Sequence, residues 1–174
     1  KHYPAISWIN SYSNYPEYLA DWWEKIDNNW PDLNLNWFEC RKQVNEILAK
    51  ENDLKYITQL LGQKNLAEDQ KLELFTADLI RNAFFIQNAF NEVDNFTSSN
   101  KMLCIIKVIL LLYNKSKSLI KRGLIMNDRK CEEVLNEIMR ISHYVLNEDF
   151  EPIEKLKKNI SNDTVSLVYM TQHK

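Results

Sequence analysis

Few residues in this chain could carry chemistry, and they are scattered. Cys40, Cys104 and Cys131 are odd in number and form no CxxC pair. They suit a reducing compartment and read as small apolar helix residues, not as ligands or nucleophiles. His2, His143 and His173 are as widely spread, and neither a metal set nor a catalytic triad follows from their spacing. Glu68 and Asp69 adjoin in "NLAEDQ". They read either as an acidic contact at a loop tip or as carboxylates favouring a helix N-terminus, and without a partner base they make no case for catalysis. A phosphate cradle needs several glycines, and only Gly62 and Gly123 are present. What remains is "RNAFFIQNAFNEVD" at 81–94, which sets Phe84, Phe85 and Phe90 around a polar turn at Gln87-Asn88. Phe90 either plugs the core or is held out for something flat to stack on.

The elements that must position these residues read as helices. With 174 residues, 45% of them hydrophobic, the chain is long enough to bury the core of one domain. A net charge of -2 leaves no basic footprint for nucleic acid. A helix-turn-helix reading of 53–75 fails for the same reason, because Glu68 and Asp69 would open its second helix against phosphates. The run "MLCIIKVILLLY" at 102–113 is short of the roughly 20 residues that span a bilayer. Lys107 also interrupts it, so it reads as a helix buried on most sides, without direct membrane insertion.

Apolar spacing of three and four predicts an all-α bundle of about six helices, preceded by an extended segment. Residues 1–15, "KHYPAISWINSYSNY", show no helical period. The helical domain spans 16–174. It opens with Tyr18, Leu19, Trp22, Trp23 and Ile26 in register from about Pro16, broken at "NNWPDL" by Pro31. A long helix follows over 32–61 and stops at Gly62. The next stripe is Leu72, Phe75, Leu79, Ala83 and Ile86. Ser98 or Ser99 caps a helix to about Arg122, ended by Gly123. Asp128 caps another, with Val134, Leu135, Ile138, Met139 and Ile141 inward. The last begins near Asn147. The tail "TVSLVYM" reads as strand or as a helix extension. Lys115, Lys117, Lys121 and Arg122 suit a helix C-terminus, or a docking patch for an acidic partner.

"FFIQNAFNEVD" resembles the "FLQQNAFxEVD" signature of the catalytic A subunit of V/A-type ATP synthases and vacuolar-type ATPases. Gln87, Asn88, Ala89, Phe90, Glu92, Val93 and Asp94 match as they stand. Residues 1–15 resemble the segment where the family's nucleotide-binding domain hands over to its helical C-terminal domain, with Lys1, His2, Pro4, Trp8, Ser11, Tyr12 and Ser13 matching. "LADWWEKIDNNWPDL" and "LKYITQLLG" continue the resemblance in order, and it fades after about Ile160. The family usually has His at position 91 and "YCS" after Asn95, where this chain has Asn91 and Phe96-Thr97-Ser98. The stretch is also similar to the β subunit of F-type ATP synthases, whose acidic DELSEED loop lies against the rotating shaft. Here that loop is "KNLAEDQ".

The resemblance implies a rotary, ion-translocating ATPase or ATP synthase in the cytoplasm, peripheral to its membrane. ATP or ADP with Mg would be held mainly by a nucleotide-binding domain outside these residues, whose phosphoryl-transfer machinery they lack. No cofactor and no catalysis are expected of the fragment alone. Gln87, Asn88, Ala89 and Phe90 would form one wall of the adenine pocket, with the Phe90 ring on the base. Leu66, Glu68 and Asp69, in loop 62–71, would meet the central stalk. The B subunits and the chain's own nucleotide-binding domain complete the partners. The chain opens at Lys1 in mid-pattern, without a signal-peptide pattern, and is expected to be a piece of a longer protein. The alternative is a stand-alone helical interaction or regulatory module.

Overall fold

A computed structural model describes residues 11–27, 35–62, 65–162 and 166–169, with the side chains of Leu60 and Leu61 left aside. Among these residues the element order is α1 (Ala20–Asp27), α2 (Trp37–Leu61), α3 (Glu68–Ile80), a π-helical turn (Arg81–Phe85), α4 (Ser99–Lys121), β1 (Ile125–Met126), α5 (Asp128–Tyr144), α6 (Glu151–Ser161) and β2 (Val168–Tyr169). The class is all-α, with six α-helices and one two-stranded ladder among the described residues.

The helix ends follow local chemistry. Asn36 and Glu39 form a reciprocal box. The Asn36 side chain accepts from the Glu39 N–H and the Glu39 carboxylate accepts from the Asn36 N–H, both at 2.9 Å. Ser98 caps α4 by accepting from the Lys101 N–H. Asn127 caps α5, one residue before the expected Asp128, because its side chain reaches the Lys130 N–H. Gly62 and Gly123 close α2 and follow α4 at φ +76° and +92°, a region that a β-carbon disfavours.

Helix α4 is the hub. Every residue from Leu103 to Leu110 is buried, and α1, α2, α3 and α6 all pack against it. The charge in the middle of that run is answered from α1. Lys107 is 2% exposed, and its ammonium lies 2.9 Å from Asp27 Oδ1. The other Asp27 oxygen accepts the Trp37 N–H at 2.9 Å, so one carboxylate joins α1, α4 and the first turn of α2. Trp23 stacks on Trp37 at the same junction, centroids 3.8 Å apart and rings 11° from parallel. Buried Glu73 of α3 is a second junction. It accepts from Lys50 at 3.0 Å and from the Tyr113 hydroxyl at 2.7 Å. Burial, with the Glu73 carboxylate adding to it, pushes the Tyr113 phenol up from its ordinary value.

The structure moves several expected elements. The first helix starts at Ala20, not Pro16, and of its expected stripe only Trp23 and Ile26 are buried. The onset expected near Asp32 falls partly outside the described residues, and α2 begins at Trp37. The last helix starts at Glu151 rather than near Asn147, whose side chain bonds backbone elsewhere. The ambiguous tail is strand at Val168–Tyr169, antiparallel to β1 in the register Ile125↔Tyr169 and Met126↔Val168. Residues 1–10 of the expected extended segment, with Tyr3 and Trp8, lie outside the described residues. Tyr12 is exposed.

The Asp27–Lys107 pair generates a stability prediction. Asp27→Ala removes the ion pair and the acceptor of the Trp37 N–H, and should cost about 3–5 kcal/mol in urea unfolding. Adding Lys107→Met should return more than half of that. Equal losses in the single and double variants would show that the pair is not what holds the junction.

Candidate functional site

Loop 86–98 leaves the bundle through the π-helical turn. The Ile86 N–H donates to the Arg81 carbonyl at 2.9 Å, a spacing of five residues that re-aims the chain as it exits. Arg81 anchors the turn, its Nη1 lying 2.8 and 2.9 Å from the two oxygens of buried Glu51. Ile86 then turns extended and is exposed, so the expected inward stripe ends at Ala83. The extra residue in the π turn breaks the helical register on which that expectation rests.

Side-chain amides and one carboxylate fold the loop. Gln87 Nε2 donates to Thr97 Oγ1 at 2.8 Å and closes the neck. The Asn88 N–H donates to Asp94 Oδ2 at 2.6 Å, and the Asn88 side chain accepts from the Phe90 N–H at 3.0 Å. Asn91 accepts in the same way from Val93 at 2.9 Å and Asp94 at 3.3 Å. These are Asx turns, in which the side chain replaces a missing backbone acceptor. The end of α5 and the residues just after it grip the loop from outside. Asn147 accepts from the Ser98 N–H at 2.8 Å and donates to the Phe96 carbonyl at 2.9 Å. His143 lies against Asp94 and the Asn82 carbonyl.

The outcome is that Phe90 is 100% exposed. The core-plug reading of this ring is excluded. Ala89 is exposed beside it, while Gln87 and Asn88 spend their side chains on the loop's own bonds. His143 and Asn147 are missed by sequence reasoning. Each lies 49 residues from its loop partner, and no local pattern marks such a contact.

The other expected contact, loop 62–71, has two faces. Leu66 is 5% exposed and packs inward, so its side chain is no outward contact. Glu68 works inside the fold, accepting from the Met126 N–H at 2.6 Å and pairing with Lys71 at 2.5 Å. Burial alone would raise its carboxyl, but Lys71 and the Met126 amide outweigh that and hold it below the usual range. Of the three residues, only Asp69 is exposed.

The basic cluster is also partly consumed. Lys115 donates to the Ile160 and Ser161 carbonyls at the end of α6, and Lys117 donates to Tyr113 at 2.7 Å. Lys121 and Arg122 stay exposed. All three cysteines are buried, and burial pushes each thiol up to about 12, far from a nucleophile's range. Among the described residues no three His, Cys, Asp or Glu side chains converge as a metal set, and no helix is long and apolar enough to cross a membrane.

Residues 27–129, which include both loops, match the model of the C-terminal domain of V and A type ATP synthase. The chain belongs to this family. The A subunit of the A-type ATP synthase of Ignicoccus hospitalis is 37% identical over 90% of the chain and 26% of its own length. That of Sulfolobus acidocaldarius is 33% identical over 97% of the chain and 28% of its own length. The V-type ATP synthase alpha chain of Halothermothrix orenii is 32% identical over 92% and 26%. The chain thus spans about a quarter of the length of these relatives.

The internal role of Glu68 has a pH signature. A depressed carboxyl contributes stability that is complete above its unfolded pKa and lost as pH falls through its folded one. Glu68→Gln should therefore destabilise the chain at neutral pH by about 1–2 kcal/mol and flatten the acid limb of its stability curve. Urea midpoints taken from neutral pH downward test this, and an unchanged acid limb would assign that limb to other carboxyls.

Proposed function

We propose that this chain serves as the C-terminal helical domain of the catalytic A subunit of a V/A-type rotary ATPase or ATP synthase, with Phe90 as one wall of its adenine pocket. The observation that carries the reading is the full exposure of Phe90 on a turn held by Asx bonds and by Asn147. An aromatic ring fixed in water offers a preformed stacking face, whereas a mobile one would lose ordering entropy on binding. Ala89 lies beside it, and Gln87 and Asn88 hold its turn.

The chain suits only the base end of a nucleotide. Its two glycines stand alone, and neither belongs to a phosphate cradle. ATP or ADP with Mg would be held at its phosphates by the nucleotide-binding domain, with residues 1–15 as the junction to it. The bound nucleotide would supply the phosphoryl group whose transfer to water drives ion transport, or ion flow would drive the addition of phosphate to ADP. The fragment alone is expected to show no turnover. The intact complex would lie in the cytoplasm, peripheral to the membrane, beside the B subunits.

For the central-stalk contact, the reading rests on Asp69 rather than on the triplet. Leu66 and Glu68 support the loop from within, so changing them would disturb packing before it changed a contact.

Base stacking is worth about 1–3 kcal/mol. Phe90→Ala in the intact protein should therefore weaken ATP binding roughly tenfold, with Phe90→Trp retaining most of it. Titration of the assembled enzyme with ATP measures this, and unchanged affinity would remove the adenine role. Asp69→Lys in the same assembly should lower rotation-coupled turnover and spare nucleotide affinity. Unaffected coupling would make the loop a bystander.

A further inference from the structure

A cavity of about 270 Å³ opens between α2, α4, the π-helical turn and the residues before α1. Its walls are apolar. Trp37 and Val44 come from α2, Phe84 and Phe85 from the π turn, and Ile106 from α4. The Phe84 and Phe85 rings reach it side by side, centroids 5.4 Å apart and tilted by 51°. An apolar cavity of about 150 Å³ already accepts benzene. This one has room for an aromatic ring that carries a small polar group.

Arg41 and Asn45 form the polar edge of the cavity. They stand four residues apart, so α2 brings them to one face. Arg41 is half-buried, and neither side chain makes a hydrogen bond or ion pair among the described residues. The positions three and four away from Arg41 on α2 are Trp37, Phe38, Val44 and Asn45, none of them a carboxylate. Arg81, also half-buried, spends its charge on Glu51 and Asp78. A guanidinium stripped of part of its water and left without an acceptor attracts an anion, and its planar fork suits a carboxylate. The Asn45 amide adds a donor on the same side.

We propose that this cavity binds a small aromatic carboxylate, its ring against Phe84, Phe85 and Trp37 and its carboxylate on Arg41 and Asn45. The two halves of the site select together. The apolar wall takes the ring, and the fork separates an anion from a neutral molecule of the same shape. An acidic side chain of a partner protein would answer Arg41 but would bring no ring for the wall. Phe84 and Phe85 lead into loop 86–98, so an occupant braces the turn from which that loop leaves. Phe90 does not line the cavity, and the site needs no role for Phe90 in nucleotide binding.

Benzoate and benzamide, alike in shape and different in charge, test the site. Methyl NMR of the full chain follows Val44 and Ile106 during titration with each. Benzoate should shift both residues and bind about tenfold more tightly than benzamide. Arg41→Gln should bring benzoate down to the benzamide level and leave the urea midpoint unchanged, because Arg41 bonds nothing among the described residues. Arg41→Lys should recover only part of the difference, since an ammonium cannot match the fork. Equal affinities for the two probes, or no shift at either residue, would overturn the proposal. So would an Arg41→Gln chain that binds benzoate as the wild type does. Benzoate binding to the isolated chain that disappears in the assembled enzyme would give the site to a partner's acidic side chain and overturn it as well. Phe90→Ala should leave benzoate affinity unchanged, whatever it does to ATP.

Discussion

A helix buried on nearly every side can keep polar side chains only if its neighbours answer them, and that requirement arranges the elements around α4. An unanswered ammonium in such a place would cost several kcal/mol. The polar side chains of α4 therefore specify partners. Lys107 requires Asp27 and so docks α1. Tyr113 requires Glu73 and so fixes α3, with Lys50 of α2 reaching the same carboxylate. Lys101 takes the Ser142 carbonyl of α5 and the Val145 carbonyl just after it, and Lys115 takes the last carbonyls of α6. Apolar packing supplies the stability, but it would tolerate sliding of one helix along another. These few directional bonds fix the register.

The loop that presents Phe90 solves the opposite problem. Outside the bundle, no neighbouring helix orders the backbone, and an exposed aromatic would draw the chain back toward the core. Short amide side chains supply the order instead. Asn88 and Asn91 bond backbone N–H groups two and three residues on, which folds the chain into tight turns. Gln87 and Thr97 shut the neck. Asn147 then ties the far side to the end of α5. The ring is held out because the turn beneath it is satisfied and has no reason to rearrange.

What is legible in the sequence follows from the range of each interaction. Helices α3 to α6 can be read because spacings of three and four report burial locally, and Ser98 marks a start for the same reason. The pairing of β1 with β2 cannot be read. Two residues carry no period, and their partners lie 44 and 42 positions away by the numbering of Ile125↔Tyr169 and Met126↔Val168. Ile86 is misplaced by its spacing because one extra residue in a π turn shifts the register without leaving a compositional trace. The inward role of Glu68 depends on β1, which no sequence pattern announces. Spacing leaves Phe90 undecided between core and surface. The resemblance favours the surface, and the satisfied turn explains why the ring lies there.

The departures from the family pattern fall on the loop's supports rather than on its ring. Asn91 replaces the usual histidine and accepts from two backbone N–H groups, a compact geometry that a short amide provides without strain. Thr97 stands where the pattern has cysteine. A hydroxyl is a stronger acceptor than a thiol, and here it takes the bond from Gln87 that closes the neck. Ser98 keeps the pattern's serine and caps α4. Asn91 and Thr97 bond within the loop and leave the Phe90 ring exposed. In the proposed stacking role, a turn already satisfied by its own bonds spares the entropy otherwise lost in holding the ring still.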